Sequence, residues 1–238
     1  MKHLILWALA LGLATLLMSF AKNRQSNVLW RQTNVKIYEE EISPFVRQVE
    51  IRKIIKEVYP ASDSLALEEI NIALLEETLD NHPSINKAEV YSLFNGSLNI
   101  TVKQHEPLAR ILTEQKSFYL LNDGLKMPLS PHYSAAVPLI TGSINDSDLM
   151  VLADFWNNVY SDSFFKAFFT GLTIKSTGQW VLHPMIGDHE IELGKPQNLN
   201  KKLKKLKIFY QQGVNSQNLD SLKSINLKYS NQVVCQKI

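Results

Sequence analysis

Cysteine occurs once in 238 residues, at Cys235, so neither an intrachain disulfide framework nor a cysteine-rich zinc site is available. Glycine and proline are scarce, nine of each, which excludes a collagen-like or linker-dominated chain. The formal net charge of +2 lacks the basic excess of a dedicated nucleic-acid binder. Catalytic signatures are missing too: there is no G-x-S-x-G, no P-loop, no G-x-G-x-x-G and no H-x-x-x-H pair. No internal repeat and no low-complexity tract is visible. What is present is the composition of a folded protein, 45% hydrophobic and 20% charged.

Only one long apolar run exists. Leu4 to Ala21 carries no charge over eighteen residues, close to the ~20 that a helix needs to cross a hydrocarbon core. Two readings compete: a retained signal anchor, or a signal peptide cleaved after Ser19-Phe20-Ala21, where small residues stand. The run is longer than a usual signal h-region, which favours the anchor. A stub of three residues before it implies that everything after residue 21 is exported. Residues 22–32 are polar and read as a linker.

Beyond the linker, Asn34–Glu39 alternates as a short strand, and Glu39, Glu40 and Glu41 read as its solvated end. Ile51, Ile54, Ile55 and Val58 fall on one face of a helix. Asn71 is the expected N-cap of a second helix, with Ile72, Leu75 and Leu79 as its buried stripe and Pro83 beyond its end. A hairpin follows: Ala88 and Val90 on one strand, Leu98, Ile100 and Val102 on the other. Asn95-Gly96 lies between them and predicts a type I′ turn, in which both central residues need positive φ. The order strand, helix, helix, strand, strand makes a two-layer domain.

The second half is strand-rich. Ala109, Ile111 and Phe118–Leu121 predict strands, followed by a turn at Asn122-Asp123-Gly124 and a short strand at Val137–Ile140. A helix over 148–160 presents Leu149, Leu152, Ala153, Trp156, Val159 and Tyr160 on one face. Thr173–Lys175 and Trp180–Leu182 flank a Thr177-Gly178 turn, and Glu190–Leu193 predicts another strand. Leu199, Leu203, Leu206 and Tyr210 mark a second helix. Ile225, Leu227 and Tyr229 then alternate with Asn226 and Lys228, and Val233-Val234 suggests a last strand.

Residue clusters that suggest chemistry have plainer readings. His183 and His189 with Asp188 and Glu190 read as polar residues around a β-turn, with convergence on a metal as the alternative. Cys235 reads as a structural residue rather than a catalytic thiolate. Lys201, Lys202, Lys204, Lys205 and Lys207 form the densest charge run; it reads as a solvated helix face, with an anionic surface as the alternative partner. No metal and no cofactor is expected.

Residues 82–109 have a spacing specific enough to compare with a family: His82-Pro83-Ser84-Ile85, Ala88, Val90, then Leu98-x-Ile100-x-Val102, then Glu106-Pro107-x-Ala109. This resembles the POTRA domain of the FtsQ/DivIB cell-division proteins. Residues 117–130 and 137–142 resemble the start of that family's β domain, 193–210 its penultimate helix, and 224–234 its C-terminal strands. The family often has a bulky aromatic where Ser84 stands, and a cytoplasmic tail longer than three residues.

The fold class expected on this basis is α+β: one N-terminal transmembrane helix, a βααββ POTRA-like domain, then a mixed strand-rich domain with two helices. The expected segments are a cytoplasmic stub at 1–3, an anchor at 4–21, a linker at 22–32, a POTRA-like domain at 33–106 and a β domain at 107–238. The resemblance implies a non-enzymatic, single-pass scaffold in the cytoplasmic membrane at the division septum. Its bulk would be extracytoplasmic and would hold the FtsB/DivIC–FtsL pair and other divisome components. It implies partner binding at Ile225, Leu227, Lys228, Tyr229 and Val233, with Tyr229 on the position of a participating aromatic. The strand at 225–229, late in the chain and after a helix, is expected at a sheet edge; the alternative is that Tyr229 packs inward with Ile225 and Leu227. Two other readings stand beside it: a POTRA-containing outer-membrane assembly factor, and an exported wall-polymer enzyme using a carboxylate pair such as Glu190 and Glu192.

Overall fold

The computed structural model describes residues 28–61, 65–212, 219, 221–230 and 232–238, with Trp7, Leu11–Leu13 and Thr15 before them. The expected anchor at Leu4–Ala21 lies for the most part outside the described residues, and so does most of the expected linker. Among the described residues no helix is long and apolar enough to cross a membrane. The chain divides into two compact units, residues 1–105 and 106–238.

The first unit runs β1 (Gln32–Ile37), α1 (Gln48–Val58), a 3-10 turn (Leu67–Glu69), α2 (Ile72–Asp80), β2 (Ile85–Ser92) and β3 (Ser97–Gln104). This is the expected βααββ order. The sheet order is β1-β3-β2, with β1 parallel and β2 antiparallel to β3. Asn71 caps α2 as the sequence predicts, its Oδ1 accepting the Leu74 N–H at 3.1 Å. Ile51 and Ile55 of α1 and Leu75 and Leu79 of α2 are buried against Val35, Ile37, Ala88, Val90, Leu98, Ile100 and Val102. Ile54 and Ile72, expected in the core, are only partly buried; each sits at the flank of its helix stripe. The first strand starts earlier than expected and stops at Ile37, because the chain turns at Tyr38–Ile42, with Glu39 in a left-handed conformation (φ 58).

The hairpin is present, but its turn differs from the expectation. Gly96 N–H donates to the Leu93 carbonyl (3.1 Å) and Leu93 N–H donates to the Ser97 carbonyl (2.9 Å). Only Gly96 has positive φ, +90. This is a three-residue loop, a type I turn closed by a left-handed glycine, which delivers the same strand twist as a type I′ turn with one left-handed residue fewer. A Cβ on Gly96 would lie 2.7 Å from the Leu29 carbonyl oxygen, so glycine is needed for space as well as for φ.

Some backbone groups on both edges of this sheet are occupied by side chains. The Ala88 and Val90 N–H groups of edge strand β2 donate to Asp80 Oδ1 (2.6 Å) and Glu76 Oε1 (2.8 Å), both on α2. On β1, Arg52 Nη1 from α1 donates to the Thr33 carbonyl at 2.8 Å. Side chains occupying edge groups deny them to another strand.

The second unit contains β4 (Ala109–Leu112), β5 (Ser117–Leu120), β6 (Lys126–Pro128), β7 (Leu139–Gly142), α3 (Leu149–Ser161), β8 (Phe169–Ile174), β9 (Trp180–Pro184), β10 (Glu190–Gly194), α4 (Leu199–Gln212), β11 (Leu222–Asn226) and β12 (Val234–Lys237). They form one nine-stranded sheet, ordered β12-β11-β10-β9-β8-β7-β4-β5-β6. One core joins α3 and α4 to the sheet, centred on the buried aromatics Phe155, Trp156, Phe169 and Trp180. A strand-rich unit with two α-helices is what the sequence predicts. At one end of the sheet, β6 is blunted by Pro128, which has no N–H to offer, and by Lys126, held to Asp146 at 2.6 Å. At the other end β12 is the outermost strand, and its four residues are all exposed.

Candidate functional site

β11 lies parallel to β10, pairing Glu190 with Ser224, Ile191 with Ile225 and Glu192 with Asn226. β12 then returns antiparallel along β11, pairing Ile225 with Cys235 and Asn226 with Val234. The strand at 225–229, expected at the sheet edge, is therefore internal, because β12 covers its outer side. It is also shorter than expected. Asn226 Oδ1 accepts the Lys228 N–H at 3.0 Å, a local turn that ends β11 at Asn226. Tyr229 is thus off the strand, and the simple alternation of Ile225, Leu227 and Tyr229 on one face does not hold.

The five expected partner-binding residues separate into groups. Ile225 and Leu227 are fully buried in the core beneath α4, and Val233 is half-buried against it. Lys228 is tied down: its Nζ lies 2.6 Å from Glu192 Oε2, which also accepts from Asn226 Nδ2 at 2.9 Å. The Lys228 stem lies over Gly194 (φ +71), where a Cβ would come within 2.8 Å of Lys228 Cγ. Tyr229 alone presents most of a large side chain outward, at 54% exposure.

Lys205 of α4 holds the loop between β11 and β12. Its ammonium donates to the carbonyl oxygens of Leu227 (3.3 Å), Gln232 (3.3 Å) and Tyr229. Three carbonyls turned towards one cation leave the Tyr229 ring free to face out. Partial burial pushes the Lys205 ammonium below its ordinary pKa. Other members of the lysine run are also engaged. Lys202 Nζ donates to the Lys195 carbonyl (2.7 Å), and Lys207 Nζ lies 2.8 Å from both carboxylate oxygens of Asp162. Lys201 and Lys204 are exposed, so the run is not a uniform cationic face.

The histidines take separate partners. His183 Nε2 lies 2.8 Å from Thr173 Oγ1, whereas His189 is buried with Nε2 2.5 Å from the Tyr210 hydroxyl. His189 Nδ1 has no hydrogen-bond partner among the described residues. Burial lowers the His189 pKa, opposed by the Asp188 carboxylate. Burial, with Cys235 nearby, raises that of Tyr210. Cys235 itself is a free, exposed thiol on β12 whose pKa burial of the sulfur raises, the reverse of an activated thiolate. Of the carboxylate pair considered for catalysis, Glu190 is exposed and Glu192 is committed to Lys228 and Asn226. Among the described residues no group of three metal-ligating side chains converges.

Sequence reasoning did not find Lys205, Glu192 or Gly194 as the residues that shape this loop. Their partners are backbone carbonyls and side chains more than twenty residues away, and no local pattern carries that information. Val233-Val234 is the one signal for β12, and it begins one residue early.

The family model described as "FtsQ/DivIB, C-terminal related" matches residues 106–236, more than half of the chain. The chain belongs to that FtsQ/DivIB-related family of cell-division proteins. In its other half, a model for POTRA-like domains matches residues 31–103. No curated protein matches. Among solved structures, one similar chain is the major extracytoplasmic domain of the trans isomer of the bacterial cell division protein DivIB from Geobacillus stearothermophilus. It is 13% identical, with a TM-score of 0.33, covering 47% of this chain and 98% of that one, a likeness too distant to carry weight. The residues matched to the FtsQ/DivIB-related family thus include β10, β11, Lys205 and β12 up to Gln236.

Proposed function

We propose that this FtsQ/DivIB-family chain is a non-enzymatic, single-pass scaffold of the bacterial divisome, anchored in the cytoplasmic membrane by 4–21 and exposing 22–238 outside it. In this reading the stub 1–3 is cytoplasmic, 22–32 is a linker, the POTRA-like domain (33–106) meets upstream or membrane-proximal division proteins, and the β domain (107–238) holds the FtsB/DivIC–FtsL pair at the septum. The observation that carries it is the open edge at β12. Three of the four sheet edges among the described residues have backbone groups occupied by carboxylates or an arginine, or carry a proline, whereas β12 is outermost and exposed, and among the described residues no side chain is bonded to its outer backbone groups; Lys237 is its one charged residue. An uncovered strand accepts an extended segment by β-augmentation: main-chain hydrogen bonds supply affinity and neighbouring side chains supply register. Tyr229, projecting beside that edge, supplies an aromatic anchor of the kind that dominates interface energetics.

The test is binding of the full chain in lipid nanodiscs to the extracytoplasmic region of the FtsB/DivIC partner. Truncation after Gln232, which removes β12, is expected to abolish binding, and Tyr229→Ala to weaken it, while circular dichroism stays native-like. Unchanged affinity in the folded truncation variant would move the interface elsewhere.

A further inference from the structure

The first unit carries an apolar feature that its core does not use. At the tip of the β2–β3 hairpin, Phe94 is 78% exposed and Leu93 45%, and neither belongs to the hydrophobic cluster of that unit. The turn uses Gly96 for its backbone and Asn95, whose Oδ1 accepts from the Ser97 N–H (3.0 Å) and hydroxyl (2.7 Å), but asks nothing apolar of positions 93 and 94. The tip lies where the chain enters the domain: the Gly96 carbonyl accepts the Arg31 N–H at 2.8 Å, and the Leu29 carbonyl packs against Gly96. Leu29 is itself half exposed, while its backbone is pinned by a bridge to Ala66, with Leu67 N–H donating to the Val28 carbonyl at 2.9 Å.

We propose that Leu93 and Phe94, with Leu29 beside them, form a membrane-contact tip that enters the headgroup region of the bilayer. The proposal rests on the reading of Leu4–Ala21 as a retained anchor. The occupant follows from chain length. Seven residue steps separate Ala21 from Val28, a contour of at most about 25 Å. The domain face that bears the tip is therefore leashed within that distance of the bilayer. Tethering turns contact into an intramolecular event, so a few apolar side chains suffice where they would not hold a free domain. Charge does not carry the contact: Arg31 adjoins the tip, but Glu68 and Glu69 come two and three residues after Ala66, the bridge partner of Leu29. The apolar side chains carry it, as an aromatic ring at the interface does.

The test uses the full chain in vesicles of phosphatidylethanolamine and phosphatidylglycerol, in a Cys235→Ser background. An environment-sensitive fluorophore is attached at one of three positions: Ser92→Cys beside the tip, Lys103→Cys about 17 Å away along the partner strand, or Leu13→Cys in the apolar run. The expected result is quenching of the Ser92 label by headgroup-spin-labelled lipid several-fold above that of the Lys103 label. Adding Leu93→Asp and Phe94→Asp should remove that excess; both residues lie outside the core, so folding is retained and is checked by circular dichroism. If the Leu13 label is quenched by acyl-chain spin labels but the Ser92 label behaves like Lys103, the tip proposal is overturned while the anchor stands. If the Leu13 label is not quenched, the anchor reading fails, and the proposal with it.

Discussion

Replacing Lys205 by Met removes the ammonium and keeps the stem, so it isolates the polar clamp. Three carbonyl oxygens, of Leu227, Tyr229 and Gln232, lose their shared donor. Charge-assisted hydrogen bonds contribute roughly 1.5–3 kcal/mol each in favourable settings. Here the loop is largely exposed and the freed carbonyls are rehydrated, so the sum falls to about 1–2 kcal/mol. A change of that size raises the population of the opened loop about 5–30-fold. The assay is amide hydrogen exchange. The Leu227 N–H, bonded to the Glu192 carbonyl at 2.9 Å, and the β12 amides paired with β11 should exchange faster by that factor, with β8 and β9 unaffected. Partner binding should weaken in parallel. Exchange at Leu227 and over Val234–Lys237 indistinguishable from the parent chain would refute the view that Lys205 organises this loop.

Other substitutions test the remaining links. Ile51→Ala should destabilise the first unit by about 3 kcal/mol, because a fully buried side chain leaves a cavity, whereas Ile54→Ala at the half-exposed flank should cost about 1 kcal/mol. Denaturation followed through Trp30 would show the order, and equal midpoints for the two variants would contradict the register of α1. His189 has its pKa lowered by burial, so the unfolded chain takes up a proton near 6.5 that the folded chain resists until lower pH. Stability of the second unit should therefore be flat above neutrality and fall with pH from about 6.5 down through the folded pKa. His189→Gln should flatten that slope in denaturation midpoints measured between pH 7.5 and 5; an unchanged slope would assign it to another group. Gly194→Ala should cost about 1–3 kcal/mol through its left-handed backbone and displace the Lys228 stem, read as a lower midpoint with weaker partner binding.

The order of elements was legible in the sequence because local periodicity reports which residues share a face. The stripe Ile51, Ile55 on α1 and Leu75, Leu79 on α2, and the alternation Leu98, Ile100, Val102 on β3, depend only on helix and strand repeats of 3.6 and 2. Asn71 as a cap and Gly96 as a turn glycine follow in the same way, since each acts on atoms within a few residues of itself. Which strand becomes an edge is not a local property. Ile225 and Leu227 alternate as an edge or an internal strand would, and only the return of β12 along β11 decides that they are internal. The orientation of Tyr229 likewise depends on Lys205, 24 residues earlier, drawing its carbonyl inward, and on Asn226 ending the strand. Backbone hydrogen bonds carry no residue identity, so a cation that binds carbonyls leaves no pattern in the residues that it binds. For that reason the family and the fold were readable from the amino-acid order, while the edge that a partner would meet was decided by tertiary packing.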